Sequence, residues 1–217
     1  MSRLYPISMN IAGKTCLVIG GGAVAERKVR SLLECGGRVV VVSPGATGGL
    51  ESLAKNGDIE LLEKVYQEFS LEGLSPTPVL IFTATNDRET NLRVFQDAER
   101  LGIAVNTVDD PELCTFYVPS VLRRGPLSVA VSTEGKSPLM ARMLREQFEE
   151  VIGPEYEEYL NLLGECRERV LQSKLDESKR RMVFKRLIEL DLLEDLRRGN
   201  KELAKERAEQ CLSSWSV

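Results

Sequence analysis

Gly20, Gly22 and Ala25 stand in the spacing Gly-x-Gly-x-x-Ala, directly after the apolar run Cys16-Leu17-Val18-Ile19 and directly before a stretch that reads as helical from Val24 onward. Small residues at this spacing can bind a pyrophosphate. Gly20 permits a tight turn out of a strand, Gly22 lets phosphate oxygens approach the backbone, and Ala25 lets helix and strand pack closely. The N–H groups of Gly22, Ala23 and Val24 then face the phosphates, helped by the helix dipole. A tight structural turn is the plain alternative. The position between strand and helix favours nucleotide binding.

The elements needed to place such a loop recur along the chain. Gly36-Gly37 stops the first helix, and Arg38 to Val42 reads as a β-branched strand. A dinucleotide fold normally has an acid at the end of that strand to hold the adenosine ribose. Ser43-Pro44-Gly45 stands there instead, which leaves ribose recognition to Ser43 and backbone. A short helix over 50–55 and a strand over 59–65 follow, then the continuous apolar strand Val79-Leu80-Ile81-Phe82. Thr83 and Thr85 close it at the carboxyl end, where open α/β sheets bind ligands. Asn86 or Asp87 caps a helix with a face of Leu92, Phe95, Ala98 and Leu101, and Gly102 ends it. Residues 103–108 form a fifth strand. The expected fold is α/β, a Rossmann-type doubly wound parallel sheet.

Past Asp109-Asp110-Pro111 the rhythm changes. Residues 116–122 and 127–132 read as hairpin strands separated by Arg123-Arg124-Gly125-Pro126, and Ser137-Pro138 opens a helix. From Glu155 the pattern is helical, with stripes at Tyr156, Tyr159, Leu160, Leu163 and Cys166, then Phe184, Leu187, Ile188 and Leu192. The division expected is a nucleotide-binding domain over 1–113, a small α+β segment over 114–150 and a C-terminal helical domain over 151–217.

Composition narrows the chemistry. The 217 residues include no histidine, which excludes histidine acid–base catalysis, histidine metal ligands and any Ser-His-Asp device. Proton transfer falls to carboxylates, Lys, Tyr, Cys or water. Five scattered cysteines without a Cys-x-x-Cys pair suggest reduced thiols in a cytoplasmic protein. No apolar run reaches membrane-spanning length, and the N-terminal stretch lacks a signal-peptide core. The net charge is −4, yet residues 114–148 carry five Lys or Arg against two Glu. This basic middle, with Arg123, Arg124, Lys136 and Arg142, suits an anionic substrate beside the cofactor cleft; ordinary solvated charge is the alternative. No basic stripe with interleaved aromatics points to nucleic acid.

Taken together, the residues resemble the precorrin-2 dehydrogenase family of siroheme biosynthesis, which includes the N-terminal module of bacterial siroheme synthase. The matching pieces are VIGGGAVAERK (18–28), VVVVSPG (39–45), FTATND (82–87), NTVDDP (106–111), FYVPSVLRRGPLSVAVST (116–133) and GKSPLMARMLRE (135–146), in the family's order over about residues 5–165. The resemblance implies NAD-dependent oxidation of precorrin-2 to sirohydrochlorin, with no resident metal. It also implies a homodimer whose partners exchange contacts through residues 114–150, the dimerisation segment. Some members also insert Fe²⁺ into the product. Asn106 joins Gly20, Gly22, Ala23, Val24, Ser43, Pro44, Gly45, Thr83 and Thr85 as a cofactor contact.

Asp109 corresponds to the family's key aspartate. It is expected to act as general base, or as the carboxylate that orients the tetrapyrrole nitrogens; a loop aspartate capping a turn before Pro111 is the plainer alternative. Thr133 matches a position often held by serine next to the active site. Arg123, Arg124, Lys136 and Arg142 suit the substrate's acetate and propionate carboxylates. Two rival functions fit less well. A non-catalytic NAD-sensing module usually keeps the acid after the second strand. A short-chain dehydrogenase needs Tyr-x-x-x-Lys, and no tyrosine here has Lys four places on.

Overall fold

The computed structural model describes residues 4–69 and 71–217; Met1, Ser2 and Arg3 of the N-terminal stretch lie outside the described residues. The chain divides into two compact units, Met1–Val118 and Pro119–Val217. In the first, β1 (Thr15–Ile19), β2 (Arg38–Val42), β3 (Ile59–Leu62), β4 (Leu80–Thr83) and β5 (Ala104–Thr107) pair in parallel in the order β3-β2-β1-β4-β5. Helices α1 (Ala23–Glu34), α2 (Gly48–Lys55) and α3 (Arg88–Leu101) make three of the four crossovers, and a loop with a 3₁₀ turn joins β3 to β4. This is the expected doubly wound sheet.

Alternation along β1 shows why its sequence is apolar from Cys16 to Ile19. Cys16 and Val18 pack with Ala25, Val29 and Leu32 of α1 and Leu50 of α2. Leu17 and Ile19 pack on the other face with Val94 and Ala98 of α3. With both faces covered, positions 16–19 are all apolar. The strand order reverses at β1, between β2 and β4, so the loops that leave these three strands meet at the carboxyl edge of the sheet.

Several elements differ from their sequence reading. β3 ends at Leu62, short of Val65, and the loop continues into a 3₁₀ turn at Tyr66–Glu68. Asp87 is the N-cap of α3, where its side chain accepts the Glu89 N–H, and Gly102 ends the helix in the left-handed region at φ 67°. The buried stripe of α3 is Thr90, Asn91, Val94 and Ala98, whereas Leu92 is 43% exposed. Two polar residues take the inner face because both are hydrogen-bonded to the loop that precedes the helix.

In the second unit β6 (Ser120–Arg124) and β7 (Leu127–Val131) form an antiparallel hairpin. Only Gly125-Pro126 makes its turn; Arg123 and Arg124 belong to the strand, and residues 116–119 do not. Pro119 lacks the N–H a strand needs, and Phe116 packs edge-on to Phe82 in the first unit, ring centroids 5.3 Å apart. Ser137 caps α4 (Pro138–Val151), accepting the Met140 N–H. Helices α5 (Glu155–Gln172), α6 (Glu177–Glu189), α7 (Leu192–Arg197) and α8 (Lys201–Ser213) enclose Cys166, Val170, Val183, Leu187, Leu192, Ala208 and Leu212. Val183 and Leu187 carry the inner face of α6, and Ile188, one position round, is exposed. Among the described residues no helix is long and apolar enough to cross a membrane.

The stripe on α3 is open to direct test. Val94→Ala should cost about 2 kcal/mol, and Leu92→Ala under about 1 kcal/mol, read from urea midpoints at unchanged slope.

Candidate functional site

The loop from β1 to α1 is set by what a Cβ would meet. Gly20 has φ 119°, and a Cβ there would lie 2.5 Å from the Ala84 carbonyl oxygen at the end of β4. A Cβ on Gly21 would collide with the Gly45 carbonyl oxygen on the loop after β2. Gly22 differs from both. It is the N-cap of α1, has no side-chain cap bond, and a Cβ there meets nothing within 4 Å. Gly22, Ala23 and Val24 are exposed, and the first N–H groups of a helix have no partner inside it. The cradle therefore presents donors to open space, which fits a dinucleotide pyrophosphate. Gly21 is a site residue the sequence reading passed over. Its signal was a run of three glycines where the fingerprint asks for two.

The loop after β2 is braced from inside. Ser43 is 6% exposed and its hydroxyl donates to the Gly45 carbonyl oxygen at 2.7 Å. Its proton is thus committed to shaping the loop, and the exposed surface is that of Pro44 and Gly45. Thr47 ties this loop to the cradle, its N–H donating to the Gly21 carbonyl at 2.9 Å. The Thr47 hydroxyl donates to Glu26 Oε2 at 2.6 Å and accepts the Leu50 N–H at 3.3 Å, capping α2. That hydroxyl, with Arg30, holds the Glu26 carboxyl below its usual range. Glu26 is a second residue that sequence reading missed, because its partner lies 21 positions away.

At the ends of β4 and β5 the polar residues divide into those used by the fold and one that is not. Thr83 is fully buried and donates to Thr107 Oγ1 at 2.8 Å, so its side chain is closed to a cofactor. Thr85 Oγ1 lies 2.8 Å from Asn91 Oδ1, and Asn91 Nδ2 donates to the Thr85 carbonyl at 3.1 Å. Asn106 Nδ2 donates to the Phe116 carbonyl at 3.0 Å, which turns it toward the departing chain. Asp110 accepts from Arg88 Nε at 3.3 Å. Cys114 Sγ accepts the Thr107 N–H at 3.2 Å, and burial pushes its thiol up. Lys28 Nζ lies 5.1 Å over the Phe82 ring, and burial lowers its pKa. Asp109 stands apart. It is exposed, has φ 60°, and its carboxylate has no hydrogen-bond or ion-pair partner among the described residues.

The basic residues of the second unit are also unequal. Arg124 Nε donates to the Ile152 carbonyl at 3.0 Å, and Arg142 pairs with Glu146 at 2.8 Å one turn along α4. Thr133 Oγ1 accepts the Ser137 N–H at 3.1 Å, joining the loop to the start of α4. Arg123 and Lys136 are exposed.

Comparison with known proteins gives a consistent family signal. The family described as putative NAD(P)-binding matches residues 7–120, and the sirohaem biosynthesis protein central family matches residues 124–150. Siroheme synthase of Methylobacillus flagellatus is 39% identical over 208 residues, covering 96% of this chain and 44% of its own length. Siroheme synthase 1 of Aeromonas salmonicida is 38% identical over 205 residues, covering 94% and 43%. The chain thus spans less than half the length of these relatives. Among solved structures, SirC, a precorrin-2 dehydrogenase, superposes with a TM-score of 0.74 over 95% of this chain and all of its own, at 24% identity, and so has the same fold.

Neighbouring glycines should separate by role. Gly22→Ala should change stability by under about 1 kcal/mol while weakening NAD binding, whereas Gly21→Ala should destabilise by about 3 kcal/mol or more. Thr83→Val should cost about 1–2 kcal/mol through the orphaned Thr107 hydroxyl, with NAD affinity unmoved. Calorimetric titration and urea melts of the three variants read both quantities.

Proposed function

The chain belongs to the putative NAD(P)-binding family and joins to it the central segment of sirohaem biosynthesis proteins, and from that premise we propose that it is an NAD-dependent precorrin-2 dehydrogenase. The observation that carries the reading is the pairing of an uncapped, Cβ-free cradle at α1 with an unpartnered Asp109 at the end of β5. Both lie at the carboxyl edge of one sheet, where doubly wound folds hold dinucleotides.

Oxidising precorrin-2 to sirohydrochlorin removes a hydride and a proton. Bound NAD⁺ supplies the hydride acceptor. The N–H groups of Gly22, Ala23 and Val24 hold the pyrophosphate, and Pro44 and Gly45 present the backbone surface to the ribose. Asp109 takes the proton, or orients the pyrrole nitrogens by accepting their hydrogen bonds. It can do either because no neighbour among the described residues occupies its oxygens. The exposed cations Arg123 and Lys136 are of the kind that pairs with acetate and propionate groups. Arg124 and Arg142 serve the fold first, through Ile152 and Glu146.

The second unit favours a homodimer. Leu139, Met140, Met143, Phe148 and Val151 of α4 are 40–69% exposed, which calls for a partner surface. A cytoplasmic location accords with five cysteines of which none is in a disulfide.

Asp109→Asn isolates the charge, since Asn tolerates the left-handed backbone as Asp does. It should slow NADH formation from precorrin-2 by about a hundredfold at unchanged NAD affinity; a rate within a factor of about two of wild type removes Asp109 from the mechanism. Adding Fe²⁺ to the sirohydrochlorin formed asks whether the chain also inserts iron, and slow or absent insertion is expected. Light scattering at micromolar concentration should return a dimer, and Leu139→Asp should shift it toward monomer.

A further inference from the structure

The loop after β2 has the place where a dinucleotide fold keeps an acid for the ribose, and its own sequence supplies none. A carboxylate nevertheless lies against it, delivered by α1. Glu26 Oε2 accepts the Thr47 hydroxyl at 2.6 Å, and Oε1 accepts from Arg30 Nη2 at 2.6 Å and Nε at 3.0 Å. Thr47 is the N-cap of α2, so the carboxylate stands at the positive end of that helix. Gly49 in the same turn lies directly beneath the Glu26 carboxylate, which a Cβ there would have to displace. Between Val39 and Ala54 there is no Lys or Arg.

From this placement we infer that Glu26 sets the dinucleotide preference: its carboxylate takes the anion position beside the ribose loop and turns away the 2′-phosphate of NADP, so that NAD is bound. The inference rests on the dinucleotide reading of the cradle. NADP sites commonly meet the 2′-phosphate with an Arg, and a free helix start can hold a phosphate through its N–H groups. Here the loop itself has no cation, Arg30 is already ion-paired to Glu26, and the helix start already carries a carboxylate. The Glu26 carboxyl is held below its usual range, so it is ionised throughout the neutral pH range. Arg30 offsets part of that charge through Oε1, but its side chain is 53% exposed, and Oε2 remains turned to the loop.

Calorimetric titration of the full chain with NAD⁺ and NADP⁺ tests it. Wild type should bind NAD⁺ more tightly. Glu26→Gln keeps an acceptor for Thr47 and loses the charge, so it should improve NADP⁺ relative to NAD⁺ about five- to tenfold, the size of one screened charge–charge repulsion. Thr47→Val keeps the charge and loses the brace; it should weaken both dinucleotides alike and leave their ratio unchanged. In wild type the NADP⁺ disadvantage should shrink between about 0.05 and 0.5 M salt, because screening weakens repulsion. This arm decides the matter even if Glu26→Gln does not fold. An unchanged ratio in folded Glu26→Gln, a disadvantage that grows with salt, or a wild-type preference for NADP⁺ overturns the inference and leaves the cofactor site standing. Failure of wild type to bind either dinucleotide overturns the cofactor reading, and the inference with it.

Discussion

The close approach of three loops at one edge of the sheet is the constraint on which the first unit depends. Strand order β3-β2-β1-β4-β5 puts β1 between two parallel neighbours, so the chain leaving β1 is crowded from both sides. Gly20 yields to the carbonyl of Ala84 after β4, and Gly21 to that of Gly45 after β2. A side chain at either position would push two loops apart. Only Gly22 faces open space, and it opens an uncapped helix. The cradle is thus a consequence of the topology: where the winding direction reverses, the loops touch at Gly20 and Gly21, and the helix that starts beside them keeps its first N–H groups unpaired.

Much of this was legible in the sequence, for reasons that can be stated. Strands covered on both faces must be apolar at every position, so Val39 to Val42 and Leu80 to Phe82 announce themselves. Punctuation was equally readable, because Gly102, Asp87 and Ser137 act on their immediate neighbours. The polar residues at the strand ends were not. Thr83 and Thr85 are identical in type and two residues apart, yet one is sealed inside and the other shapes a loop. Thr83 pairs with Thr107 only because β4 and β5 lie in register at that level. Asn106 looks toward Phe116, and Glu26 toward Thr47, through contacts that exist only after the chain has folded. Local sequence carries residue type; pairing decides which of a polar residue's hydrogen bonds remain for a ligand.

The same consideration sorts the acids. Without histidine, proton chemistry falls to carboxylates, Lys, Tyr, Cys or water, and several carboxylates of the first unit are already engaged. Asp87 is occupied in capping α3, accepting the Thr90 hydroxyl at 2.5 Å and the Glu89 N–H at 3.2 Å. Asp97 binds the Tyr66 hydroxyl and Arg100, and Asp110 binds Arg88. Each of these carboxylates has a structural task that would be lost if it changed charge during a reaction.

Asp109 is left over, and its backbone explains why the position is unusual without explaining the residue. Pro111 pushes the residue before it out of the helical region, and Asp110 accordingly stands at φ −131° and ψ 87°. The turn out of β5 therefore falls one residue earlier, on Asp109, at φ 60°. Glycine would make that turn without strain. Aspartate tolerates it better than most residues, usually by bonding its side chain to nearby backbone, but here the carboxylate bonds to nothing among the described residues. The turn accounts for the conformation, and among the described residues it leaves the carboxylate exposed with both oxygens unengaged.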